Sequence, residues 1–207
     1  MKRFLFLFPL FLLISCGSSR IESNFSPVYV TNTSKYYVLP TQAMTSSVDS
    51  AQRMTARFGE GKKASEFEFD VYVIADSSQL SMTIFNELGT TMASLFYDGE
   101  NLDFDSVVFP KNLKAEYIVA DFQFCLYDVS QLQAALENIG VKLEVSIADG
   151  IGGTSTETRI LSKKDKVISK ITKTYGKNSA SGAEELKSID YENFLRGYSY
   201  TLLGVES

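Results

Sequence analysis

The side chains that could do chemistry here are few in kind. The 207 residues include two cysteines, Cys16 and Cys125, and 25 aspartates and glutamates, but no histidine and no tryptophan. Without histidine there is no Ser-His-Asp triad, no Cys-His pair, no HExxH zinc site and no imidazole base. Carboxylates alone leave chemistry of the glycosidase kind open, because it depends on a separation in space rather than in sequence. The run Asp98-Gly99-Glu100-Asn101-Leu102-Asp103-Phe104-Asp105 has the composition of a calcium loop. Its glycine, however, comes second rather than sixth and no glutamate closes it, so it reads as a hairpin turn with outward carboxylates. Gly150-Ile151-Gly152-Gly153 is followed by alternating Thr and Ser, with neither Lys-Ser/Thr nor a helix, and reads as a loop rather than a phosphate cradle. Lys163-Lys164-Asp165-Lys166 is a short solvated turn. No cofactor and no metal site emerge from these patterns. A net charge of −5 without a dense basic block argues against nucleic acid as a partner.

The cysteines have different surroundings. Met1-Lys2-Arg3 precedes an apolar run from Phe4 to Ile14. As a helix that run rises about 16 Å, roughly half of the ~30 Å hydrocarbon core, which suits a signal peptide over residues 1–15 rather than a membrane span. It ends in Leu13-Ile14-Ser15-Cys16, which resembles the bacterial lipobox. That resemblance implies cleavage before Cys16, a diacylglycerol on its sulfur and a palmitate-type chain on the new amino group. One chain binds a bilayer reversibly and two or more hold stably. Gly17, where inner-membrane retention usually has aspartate, points to lipid anchoring at the periplasmic face of the outer membrane. Loss of Lys2 and Arg3 leaves 18 basic against 25 acidic residues, a net −7. Cys125, flanked by Phe124 and Leu126, is then the remaining thiol and reads as a buried small hydrophobe.

The elements that must position these residues are mostly strands. Residues 16–50, rich in Ser, Thr and Asn, read as a tether whose Tyr37 to Leu39 dock onto the domain, and residues 51–207 as that one domain. Phe67, Phe69, Val71 and Val73 alternate with polar residues, as do Leu80, Met82 and Ile84, then Met92 to Tyr97, then Leu102 and Phe104. Asp98-Gly99 is a hairpin signal between the last two, and these strands are expected to form an antiparallel meander. Between Lys114 and Gly140 the period lengthens. Ile118, Phe122 and Cys125 form one stripe, and Leu132, Ala135, Leu136 and Ile139 another. Two amphipathic helices split near Asp128 are expected, with Ser130 and Gln133 as a capping box and Gly140 as a stop. Strands resume at Leu143 to Ile147, Thr156 to Leu161, Val167 to Tyr175 and Phe194 to Val205. About ten strands interrupted once by a helical pair predict a mainly β, strongly curved antiparallel sheet, a half-open β-barrel with a short helical lid over its concave face. Its inner positions read as Phe, Met, Leu, Ile and Val with almost no polar group, which suits an acyl chain.

Leu80 to Leu95, with its central Asn86-Glu87-Leu88-Gly89-Thr90, resembles the strand-loop-strand of LolB, whose loop reads Asn-Pro-Leu-Gly followed by Ser or Thr. Tyr37-Val38-Leu39-Pro40, Tyr97-Asp98-Gly99, Ala120-Asp121-Phe122-Gln123-Phe124 with Leu132 and Ala135-Leu136, and Gly197-Tyr198 are similar to LolB-like lipoproteins often encoded in aryl polyene biosynthesis clusters. The resemblance implies a LolA/LolB-like fold and a role in lipid binding and lipoprotein transport. A LolA-type periplasmic carrier would hand over a lipid or lipoprotein cargo, and this chain would pass it into the outer membrane. Leu88 matches the loop leucine that helps insert cargo into the bilayer. Glu87, in place of proline, departs from the pattern and loosens that loop; the helical region, where relatives often have an aromatic, also lacks a tryptophan, for which Tyr127 is the stand-in.

The expectation is therefore a non-catalytic outer-membrane lipoprotein with an apolar cavity. Phe67, Phe69, Val71, Met82, Ile84 and Phe96 are expected to line it, with Phe122 and Leu126 in the lid. Transfer would run downhill from carrier to cavity to membrane, since no nucleotide motif is present. The rival readings are an envelope assembly or interaction lipoprotein with a filled core, and a hydrolase built on a buried carboxylate pair.

Overall fold

The computed structural model describes residues 24–44, 47–59, 61, 64–109, 113–178 and 182–204. The expected signal peptide and Cys16 lie outside them. A small hairpin, β1 (Val28–Thr31) and β2 (Ser34–Tyr36), comes first. It is followed by β3 (Val48–Phe58), β4 (Ser65–Ala75), β5 (Leu80–Phe85), β6 (Thr91–Tyr97) and β7 (Leu102–Ser106). Then come α1 (Ala115–Leu126) and α2 (Val129–Glu137), and finally β8 (Lys142–Asp149), β9 (Ser155–Lys163), β10 (Lys166–Lys177), β11 (Glu184–Asn193) and β12 (Tyr198–Gly204).

Strands β3 to β12 form one antiparallel sheet in the order β7-β6-β5-β4-β3-β12-β11-β10-β9-β8. It is two five-stranded meanders joined where the first strand pairs with the last, Ala56 opposite Tyr200 and Met54 opposite Leu202. The edges β7 and β8 do not pair with each other, so the sheet stays open. It is nevertheless strongly curved. Helix α1 touches both β7 and β10, seven places apart in the sheet. On a flat sheet that spacing is roughly 34 Å, while a twelve-residue helix is about 18 Å long, so the sheet must wrap around the helix.

The alternation that builds this sheet is visible in the register. One row across the concave face reads Arg159, Ile171, Tyr191, Tyr200, Ala56 and Phe67, each residue paired with the next. The β3–β7 half matches the apolar expectation, with Val71, Val73, Leu80, Met82 and Ile84 buried. The β8–β12 half does not: Arg159, Lys173, Ser169 and Asn193 are buried on it. Charge is tolerated there because it is paired. Glu157 accepts from Arg159 and, at 2.9 Å, from Lys173.

Helix α1 is buried on all sides over eight consecutive residues, Val119 to Leu126, because it is held between the sheet and the β1–β2 segment. Its C-terminal carbonyls of Phe124 and Tyr127 accept from Arg159 Nη1 at 3.0 and 2.8 Å, so a buried guanidinium supplies donors the helix end lacks. The break at Asp128 is as expected, but the cap differs. Asp128 itself accepts from the Ser130 and Gln131 amides, and Gln133 bonds Glu137 instead of closing a box. Gly140, at φ +71°, ends the pair as expected.

Three further expectations are corrected. The folded body begins by Val28 rather than at residue 51: Val28, Val30, Tyr36 and Val38 are buried in the core, so most of the supposed tether is part of the domain. Strand β12 starts at Tyr198, Phe194 to Gly197 being a turn, and periodicity alone does not locate β3 and β11. The hairpin after β6 turns on Gly99 and Glu100, with Asp98 paired to Asn101, one residue later than Asp98-Gly99 implies. Among the described residues one contiguous core runs from Val28 to Leu202 and includes hairpin, helices and sheet, so they pack as one unit.

Candidate functional site

A cavity of about 600 Å³ lies between the N-terminal half of α1 and the concave face of the sheet. Strand β3 contributes Met54, Ala56 and Phe58 to its wall, and β5 contributes Met82. Tyr198, Tyr200 and Leu202 come from β12, and Tyr117, Ile118, Asp121 and Phe122 from α1. Each set reflects local periodicity. Alternate residues of a strand share a face, and residues three and four apart share a helix face. The cavity lies where β3 and β12, at the middle of the curved sheet, face the N-terminal half of α1.

The chemistry of the wall is mostly apolar, with one buried carboxylate. Asp121 Oδ1 accepts from Tyr191 Oη at 2.7 Å, and Oδ2 accepts from Tyr198 Oη. Asn193 Nδ2 donates to both tyrosine oxygens, and the Tyr191 ring stacks on Tyr198 and Tyr200. Burial pushes the Asp121 carboxyl up to about 6, against the pull of the two tyrosine hydroxyls and the Arg196 charge. Cys125, one turn further along α1, contacts Tyr200 Oη at 3.6 Å, and burial raises its thiol to about 12, which leaves it unreactive.

At one end of the sheet the β11–β12 turn contributes Arg196 to the opening, beside Phe58 at the end of β3. Exposed apolar side chains gather there, namely Phe58, Phe67, Leu88, Val107, Phe194 and Leu195. Leu88 is 89% exposed at the tip of the β5–β6 turn. That turn is held despite the lack of proline. Asn86 Oδ1 accepts from the amides of Leu88 and Thr90, and Gly89 takes the left-handed conformation at φ +75°. Lys114 and Arg196 stand at the same mouth among the cavity-lining residues.

Of the residues expected to line a cavity, Met82 and Phe122 do so. Val71 and Ile84 are in the core beside it, and Leu126 is buried one turn beyond it on α1. Phe69 is partly buried and Phe67 exposed at the rim, their rings stacked at 6.3 Å. Phe96 is the exception. Ala93, Leu95 and Tyr97 are the inward residues of β6, so Phe96 faces outward between Ser81 and Asp103. Sequence reasoning misses the wall residues of β3 and β12, although Met54-Ala56-Phe58 and Tyr198-Tyr200-Leu202 both carry the period of two.

The profile of a family described as "Protein of unknown function (DUF3261)" matches residues 49–203. No curated protein matches the chain. Among solved structures, a LolA superfamily protein from Nitrosomonas europaea is similar at 10% identity, over 80% of this chain and 88% of that one, with a TM-score of 0.36. A DUF1329 family protein from Desulfovibrio piger is similar at 10% identity, over 80% and 87% of the two chains, with a TM-score of 0.29.

Proposed function

This chain belongs to the DUF3261 family, and on that footing we propose that it is a non-catalytic lipid-handling lipoprotein, anchored through Cys16 at the periplasmic face of the outer membrane. It accepts a hydrophobic, acylated cargo in its cavity and passes it to that membrane. The observation that carries this reading is the cavity itself: about 600 Å³ of space inside a curved sheet, walled by Met54, Ala56, Met82, Phe122 and Leu202. Apolar space of that size is costly to leave facing water and is suited to an apolar ligand. Among the described residues lining it, Asp121 is the one carboxylate, and it is held by the hydroxyls of Tyr191 and Tyr198.

The direction of transfer is inferred from the rim. Phe58 lines the cavity, and Phe67, Leu88, Phe194 and Leu195 are exposed at the same end of the sheet, so a cargo leaving at that end would pass over apolar side chains into a bilayer. A LolA-type carrier is the proposed donor and the outer membrane the acceptor. Burying about sixteen carbons stabilises a complex by roughly 10 kcal/mol, so modest differences in cavity fit set the direction.

The test is a transfer assay. The chain from Ser18 onward, loaded with a fluorescent sixteen-carbon acyl probe, is mixed with vesicles of outer-membrane phospholipid. The reading predicts loading at one probe per chain and release to the vesicles. A chain that takes up no probe supports the filled-core interaction protein instead.

A further inference from the structure

The cavity has an apolar interior and a cationic mouth. Lys114 precedes α1 and Arg196 lies in the β11–β12 turn; both are exposed and both line the opening. Among the described residues no carboxylate lies within ion-pair distance of either. The Arg196 guanidinium is nevertheless held in place, 4.2 Å over the Tyr117 ring and donating to the Tyr29 carbonyl. Asp121, deeper in the wall, is already bonded by two tyrosine hydroxyls. Neither cation makes an ion pair among the described residues, Arg196 feeling the Asp121 carboxyl only from beyond ion-pair distance, and at the rim of an apolar cavity the two define a place for an anion.

The volume of the cavity limits the tail that such an anion can carry inward. A methylene is close in size to a water molecule, which occupies about 30 Å³ in the liquid, so sixteen carbons fill roughly 480 Å³. The cavity of about 600 Å³ therefore has room for one such chain.

We propose that the cavity binds a single-chain anionic amphiphile, with its carboxylate or phosphate head between Lys114 and Arg196 and its chain running inward past Phe58 to Met54, Met82 and Leu202. This deepens the cargo reading and rests on it. It distinguishes the ligand from a triacylated lipoprotein anchor held whole and from a two-chain phospholipid.

The test is displacement of a dansyl-labelled undecanoic acid from the chain starting at Ser18. Palmitate and hexadecyl phosphate, which separate the two sources of anionic head, are compared with hexadecanol and a two-chain phosphatidylglycerol. The expected result is displacement by one or both anions at concentrations about tenfold below hexadecanol, a difference that shrinks as salt rises. Lys114→Gln and Arg196→Gln are each expected to weaken the preferred anion roughly fivefold and leave hexadecanol unchanged, which also shows the variants to be folded. Hexadecanol matching both anions overturns the head-group assignment while leaving the cavity reading standing. Phosphatidylglycerol displacing as well as the anions overturns the single-chain assignment. Failure of the chain to bind the labelled acid or any competitor overturns the cavity reading and this proposal with it.

Discussion

Gln123 holds the backbone of Leu39 as a neighbouring strand would. Its Oε1 accepts from the Leu39 amide at 3.0 Å and its Nε2 donates to the Leu39 carbonyl at 2.7 Å. Tyr36 Oη fills the second acceptor site of that oxygen, donating to Oε1 at 2.7 Å. One buried side chain thus fastens the segment before the sheet onto α1, and with it the outer cover of the helix that walls the cavity.

Replacing Gln123 by leucine would leave the Leu39 amide and the Tyr36 hydroxyl buried without these partners. The expected cost is about 3 kcal/mol. In urea unfolding it appears as a midpoint lowered by about 1–2 M. An unchanged midpoint would show that the N-terminal segment does not brace the helix.

That contact also shows why part of the site is legible in the sequence. The short pieces carrying the family resemblance meet around α1. Leu39 meets Gln123, Tyr97 Oη donates to the Leu39 carbonyl, Thr41 reaches the Asp98 carbonyl, and Tyr198 donates to Asp121. Strands with clean alternation, such as Leu80-Met82-Ile84, are readable because one face is buried and the other wet. Strand β11 is not, because a register shift between Thr174 and Tyr175 breaks the alternation facing it. Phe96 is misplaced by its sequence because Met92 to Tyr97 is apolar at most positions, so composition does not say which set faces inward. Arg159 and Lys173 are unreadable as interior residues. Their burial depends on Glu157 and on the end of α1, contacts that arise only in three dimensions.

Asp121 gives the fold a pH dependence of definite sign. Its carboxyl titrates near 6 in the folded chain, against about 3.9 unfolded. The folded state therefore retains this proton at pH values where the unfolded state has lost it. The stability it contributes is full below about pH 4 and is lost as pH rises through 6. Asp121→Asn removes this component. The stability of wild type relative to the variant should fall by on the order of 2–3 kcal/mol between pH 4 and pH 7. Urea curves at intervals across that range check it, and a constant difference would contradict it.

Ala56 is buried on the cavity wall, opposite Phe67 and Tyr200 across the sheet. Ala56→Phe should fill cavity space rather than displace core. Acyl-probe affinity is expected to drop at least about tenfold, with stability held within roughly 1 kcal/mol. Retained binding in the folded variant would place the ligand elsewhere.

Leu88, solvent-exposed at its turn, contributes little to the core, so Leu88→Asp should change stability by no more than about 0.5 kcal/mol. Probe loading should also be unchanged. Release to vesicles should slow several-fold if this side chain meets the bilayer. Equal release rates for variant and wild type would remove Leu88 from the transfer step.

The most direct test of the central claim is native mass spectrometry of the chain from Ser18 onward, purified from bacterial cells without added lipid, followed by denaturing lipid analysis. The account predicts a mass increment of one single-chain amphiphile per protein, released on unfolding. A clean apo mass that does not change on adding a sixteen-carbon acid would contradict it, and would mean that the cavity does not bind acyl chains.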